Sequence, residues 1–284
     1  MGEEGMRRVT FAVCLPLDGR ALSGLVAGAV QAAAFNPFDR ALFLSITQNR
    51  QFWHLDNWRS PFQGFSQAFF QRSLQGGIYF PLEDVFKKLF ARCQISQALR
   101  DILVGKCAGA VNGLILNPLS VVKYNMWTAN KDSFWATASE LYRLHGCGSL
   151  FRGVGSTVLR DITFGAAYTS MRHYLRRRFP GAKIDHFKHD LTSAVLATFI
   201  SAPFNYARNV QYASAHLDVP SIMDTWKSLA RKTLEQPTKL DRFRFAQRSL
   251  GIGWGTARVT MAFAFGAFVY ETLMGKSPGL AARG

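Results

Sequence analysis

Three prolines in register constrain this chain more than any other feature. The segments Leu22-SGLVAGAVQAAAFNPFDRAL, Leu103-VGKCAGAVNGLILNPLSVVK and Lys188-HDLTSAVLATFISAPFNYAR align without a gap and place Pro37, Pro118 and Pro203 at one position, 81 and 85 residues apart. Nine residues before each proline stands a small residue, Gly28, Gly109 or Ala194. Thirteen before stand Gly24, Gly105 and Asp190. Gly24/Gly28 and Gly105/Gly109 are small-xxx-small pairs, which let helices approach closely in a membrane. A proline inside a helix frees a carbonyl and bends the axis. The pattern predicts three helices, bent at equivalent points and sharing one small-residue face.

Charge is distributed to match. Ala21–Phe38 and Leu191–Ala207 carry no charge, Ile102–Val122 carries only Lys106, and Leu250–Tyr270 carries only Arg258. Such stretches are close to the length that crosses a bilayer. Mean hydropathy is only +0.01, because the same stretches are rich in small residues and prolines. A soluble all-α protein would have to bury four such segments, and that reading is set aside. The net charge of +16 first suggests nucleic acid. The basic residues are scattered, however, with one dense cluster at 172–178, and no nucleic-acid motif accompanies them. Anionic head groups and anionic solutes are the expected partners instead.

A second element follows each proline segment. Asp56-NWRSPFQG ends at Gly64 and His145-GCGSLFRG at Gly153, both closing on an aromatic, Gln or Arg, and glycine; Phe243-RFAQRSLG, ending at Gly251, is a poor third copy. After each glycine runs another apolar stretch, about 66–90, 155–176 and 253–274. Two crossings per segment make six.

With these residues in view, the chain resembles the mitochondrial carriers, whose three repeats each contain a P-x-[DE]-x-x-[KR] helix, a short matrix helix ending in aromatic-[KR]-G, and a second helix. The resemblance implies an all-α membrane protein of six transmembrane helices, with pseudo-threefold symmetry and short matrix helices. The whole chain, 1–284, would form one carrier domain, with repeats at 18–92, 98–178 and 186–276. It also implies a solute transporter of the mitochondrial inner membrane, multi-pass and working by alternating access, rather than an enzyme. No nucleophile–base arrangement or phosphate-cradling glycine loop points to catalysis.

The departures from the family pattern matter as much. The copies read Pro37-Phe-Asp39-Arg-Ala-Leu42, Pro118-Leu-Ser120-Val-Val-Lys123 and Pro203-Phe-Asn205-Tyr-Ala-Arg208. By the resemblance, the matrix gate would pair Asp39 with Lys123, Ser120 with Arg208 and Asn205 with Leu42, and only the first is ionic. A cytoplasmic gate would draw on Asp84 and Lys87, His173 and Arg176, and Glu271 and Met274. There only Arg176–Glu271 keeps opposite charges across repeats, while Lys87 would face His173 and Asp84 would face Met274. Two weakened pairs of three in each gate lower the cost of opening it.

Charge at bilayer depth is a functional signal. Seven residues after Gly64, Gly153 and Gly251 stand Gln71, Arg160 and Arg258. In the family these positions, with the next residue, contact substrate, which implies a site of Gln71 and Arg72, Arg160 and Asp161, and Arg258. Guanidinium groups grip carboxylates in a fork, and Asp161 would attract an ammonium. A small carboxylate or amino acid is the implied solute. An internal Arg–Asp pair that only steadies the bundle is the competing reading. The second functional class is a carrier-fold scaffold of a larger inner-membrane assembly that no longer transports. Anionic lipid, cardiolipin by the resemblance, is expected at Gly64, Arg152 and Gly153, where helix N-termini offer free amides. Cys14, Cys93, Cys107 and Cys147 lie far apart and read as reduced thiols. No metal-ligand spacing is present and no cofactor is expected. The opening Met1-Gly-Glu-Glu-Gly-Met-Arg-Arg matches no secretory signal or transit peptide, so targeting information is expected within the chain.

Overall fold

A computed structural model describes residues 19–180, 183–214 and 219–273. Cys14 and Met274 lie outside these residues. Among them there is no strand, and six long helices set the architecture. These are α1 (Gly19–Thr47), α2 (Phe65–Phe90), α3 (Gln97–Ala129), α5 (Val154–Arg178), α6 (Lys183–Ala213) and α9 (Trp254–Leu273). Three shorter helices intervene: α4 (Phe134–His145), α7 (Ile222–Leu234) and α8 (Lys239–Ser249). The long helices of 20 to 33 residues are roughly 30–50 Å in length.

The long helices close a ring. Contacts run from α1 to α2, α2 to α3, α3 to α5, α5 to α6, α6 to α9, and α9 back to α1. Helix α4 lies on α3, α7 on α6, and α8 on α7 and α1. Pro37, Pro118 and Pro203 lie inside α1, α3 and α6. The poor third copy at 243–251 nonetheless folds as helix α8 and a turn that ends at a glycine of the same conformation as the other two. Helix α7 was not foreseen; its polar stretch starts at Ser221, whose side chain accepts from the Asp224 amide, a capping signature legible in Ser-x-x-Asp.

Each junction before an even helix is locked in the same way. Gly64, Gly153 and Gly251 have φ of 72°, 67° and 68°, a left-handed conformation that side chains disfavour. A Cβ there would come within 2.9 Å of Trp127 Nε1, Tyr212 Cε1 and Ile46 Cδ1 respectively. Those three residues each stand nine positions past a helix proline, always on the next odd helix around the ring. Asn36 and Asn117, immediately before their prolines, clamp the same turns. Asn36 Nδ2 donates to the carbonyls of Pro61 and Gln63 at 3.1 and 3.3 Å, and Asn117 Nδ2 to those of Leu150 and Arg152 at 3.1 and 3.0 Å. Ala202 stands in the third place and supplies no such bond. Phe43, Val121, Val122, Met126, Trp127 and Tyr212 pack into the main apolar core, so the ring is tightest past the prolines.

Ile102–Ala129 of α3 is the one span among the described residues long and apolar enough, by composition, to cross a membrane, and most of it is not buried within the protein. The other long helices fall short of that mark. Their small residues and cavity-facing polar groups lower average hydropathy without removing an apolar outer face: Leu74, Val85, Phe199, Ile200 and Phe268 are exposed along α2, α6 and α9.

Candidate functional site: a basic cavity inside the helix ring

The ring encloses a cavity of about 560 Å³. Gln71 and Arg72 reach it from α2, Arg160 and Asp161 from α5, and Arg258 from α9. Asp39 and Leu42 enter from α1, Ser120 and Lys123 from α3, and Asn205 and Arg208 from α6. The residues expected at the centre and those expected at the matrix gate therefore share one space. Lys123 and four arginines face Asp39 and Asp161 across it, leaving three positive charges in excess. Positive potential in a low-dielectric cleft concentrates anions.

The pairings differ from those expected. Asp39 does not bond Lys123. Its two oxygens accept from Arg258 Nε at 2.5 Å and Nη2 at 2.7 Å, and Arg72 Nη2 adds a longer contact at 3.4 Å. Lys123 Nζ instead donates to Gln71 Oε1 at 3.1 Å and lies about 5 Å from the ring centres of Tyr124 and Trp127. Ser120 does not bond Arg208; its hydroxyl accepts from Gln71 Nε2 at 2.6 Å. Arg208 turns to Asn209 at 3.1 Å and to the faces of Tyr124 and Tyr212. Arg160 and Asp161 bond each other, with Nε to Oδ1 at 2.8 Å.

These pairings share a rule that sequence reasoning missed. Gln71 and Arg258, each seven residues past its glycine, reach the residue two past the proline on the next odd helix: Gln71 to Ser120, Arg258 to Asp39. The third such link would join Arg160 to Asn205, but Arg160 takes its own neighbour, Asp161. The fork geometry of Arg258 on Asp39 is the strong form of such a contact. Repeat spacing contained the signal; which partner wins depends on side-chain reach, which spacing alone does not give.

At the other end of the ring, Arg172 Nε and Arg176 Nη2 meet Asp190 of α6 at 2.9 and 3.0 Å. Asp190 replaces the glycine of the first two segments, so the departure from the small-residue pattern has a charge partner. The side chain of Glu271 and all of Met274 lie outside the described residues, and so does the expected Arg176–Glu271 pair. Asp84 contacts Lys87 within α2 at 3.7 Å, and His173 is exposed. Arg152 lies at the junction before α5. It is buried, its Nη1 donates to the Ser214 carbonyl at 2.6 Å, and burial lowers its guanidinium from its ordinary pKa. Cys93, Cys107 and Cys147 are free thiols.

Part of the chain is similar in sequence to known proteins. A family model for mitochondrial carrier protein matches residues 95–183. The human mitochondrial glycine transporter is 26% identical over 136 residues, 45% of each chain. Human solute carrier family 25 member 53 is 25% identical over 184 residues, 57% of this chain and 60% of the relative. Mitochondrial glycine transporter A of Danio rerio is 24% identical over 217 residues, 72% of this chain and 71% of the relative. Over residues 95–183 the chain is similar to the mitochondrial carriers. The matched stretch spans less than half the length of the human glycine transporter. Helices α3, α4 and α5 fall inside the stretch matched by the family model, and they bring Ser120, Lys123, Arg160 and Asp161 to the cavity.

Proposed function

We propose that this protein moves a small carboxylate or amino acid across the mitochondrial inner membrane by alternating access. In this reading the six long helices cross the bilayer as three repeats, 18–92, 98–178 and 186–276, and the solute occupies the central cavity. The observation that carries the proposal is the convergence of Arg72, Arg160 and Arg258 with two carboxylates on one cavity. Apolar side chains exposed along the outer faces of the long helices support a lipid surround. A zwitterion suits the charges: its carboxylate would replace Asp39 in the fork of Arg258, and its ammonium would lie at Asp161. The human and zebrafish relatives bear the name glycine transporter, and a small amino acid is the first solute to test.

The experiment is uptake into proteoliposomes across amino acids and simple carboxylates, with homo-exchange and hetero-exchange. Arg258→Ala should remove carboxylate uptake. Asp161→Asn should spare simple carboxylates and lose amino acids. Loss of one member of a charge-assisted pair weakens binding by more than about tenfold. Unchanged uptake in both variants would remove these residues from the site. No uptake by the unaltered protein across the whole panel would overturn transport and leave a scaffold role.

A further inference from the structure

We infer that Asp39 is a tethered competitor of the solute, a carboxylate of the chain's own that occupies the arginine fork a substrate carboxylate must take. The inference rests on the reading of the cavity as a carboxylate site. Arg258 holds Asp39 through Nε and Nη2 at 2.5 and 2.7 Å, the two-pronged geometry used for any carboxylate. Arg72 completes the grip at 3.4 Å. The Arg258 side chain is only 17% exposed, and both it and Asp39 line the cavity. A group on the same wall competes at an effective concentration in the range of millimolar or more. A free solute has to exceed that to enter.

The equivalent positions show how selective this arrangement is. Ser120 stands in the register of Asp39 and bonds Gln71, a neutral pair that no carboxylate needs to displace. Asn205 stands in the third copy, and Arg160 is held by Asp161 instead. Carboxylates of the chain thus engage both Arg160 and Arg258; the Asp39–Arg258 pair joins two helices, α1 and α9, whereas Arg160 and Asp161 share α5. Asp39 sets the affinity threshold of the site: solutes with a carboxylate alone are disfavoured against those that add a second anchor elsewhere in the cavity.

The test is ligand-induced thermal stabilisation of the purified full chain, titrated with glycine, succinate and, as a blank without a carboxylate, ethylamine. The unaltered chain and Asp39→Asn are compared. If the unblocked fork is populated at about one part in ten, Asp39→Asn lowers the half-saturating concentration of both carboxylates by about tenfold and leaves ethylamine unchanged. A half-saturating concentration that stays the same or rises overturns the inference. The Arg258→Gln background separates occupancy from bulk charge. There, Asp39→Asn should give no gain; a gain of the same size would mean that Asp39 acts only through its charge, and the inference fails. Asp39→Ser, which imitates the second copy, is the alternative variant if Asp39→Asn does not fold. Binding of glycine or succinate by the unaltered chain tests the site itself, so the two ideas fail separately.

Discussion

Gly153→Ala offers the sharpest test of how the ring is locked. At φ 67° the new methyl group would sit 2.9 Å from Tyr212 Cε1 and 3.1 Å from Cδ1. Tyr212 cannot yield, because it is 2% exposed, its hydroxyl donates to Asn117 Oδ1 at 2.7 Å, and Thr157 Oγ1 lies 2.9 Å away. The left-handed backbone costs an alanine about 1–2 kcal/mol, and overpacking adds about 1–3 kcal/mol, roughly 2–5 kcal/mol together. At about 2–4 °C per kcal/mol for a chain of this size class, the unfolding midpoint should fall by roughly 4–20 °C. Gly155→Ala is the internal control. It lies in the same helix with nothing within 4 Å of a new Cβ, and a helical alanine in place of glycine stabilises by up to about 1 kcal/mol. Thermal unfolding of both variants in one detergent should move the midpoint in opposite directions. Equal midpoints for the two variants would refute the close approach of Tyr212 to the junction.

Asn117→Ala should lower stability by about 2–3 kcal/mol in the same assay, because it strands the Leu150 and Arg152 carbonyls and removes the acceptor of the Tyr212 hydroxyl. Arg152→Ala should destabilise by the same amount with and without added cardiolipin, since its guanidinium bonds the Ser214 carbonyl inside the protein; a loss seen only when lipid is present would place Arg152 at the lipid surface.

Much of this architecture was legible in the sequence, and the limits have physical causes. The register of Pro37, Pro118 and Pro203 found the three odd helices, because a proline in an uncharged stretch is a sparse and specific mark. Counting seven from the glycines found Gln71, Arg160 and Arg258, and all three reach the cavity. The count reaches one cavity because helical rise is fixed and each glycine starts its helix from the same left-handed turn. Partner choice was not legible. Asp39 was expected on Lys123 and is held in the fork of Arg258, while Lys123 bonds Gln71. Arg152 was placed beside the helix N-terminus at Gly153 as part of a lipid site; that its guanidinium bonds the Ser214 carbonyl was not visible from spacing. The Asn–Pro dipeptides at Asn36 and Asn117 were visible in the alignment, yet their role as clamps depends on turns far along the chain.

The glycine contacts have a topological consequence. Gly64 rests against Trp127, Gly153 against Tyr212, and Gly251 against Ile46, so each turn leans on the helix ahead of it and the last leans on the first. Such an arrangement has no privileged starting point. Its interlocking is cyclic although the polypeptide is linear, with the break between α9 and α1. A circular permutant joined across that break and opened between α2 and α3 would keep all three contacts. A chain lacking any one segment would lose two of them, and with them the closed ring.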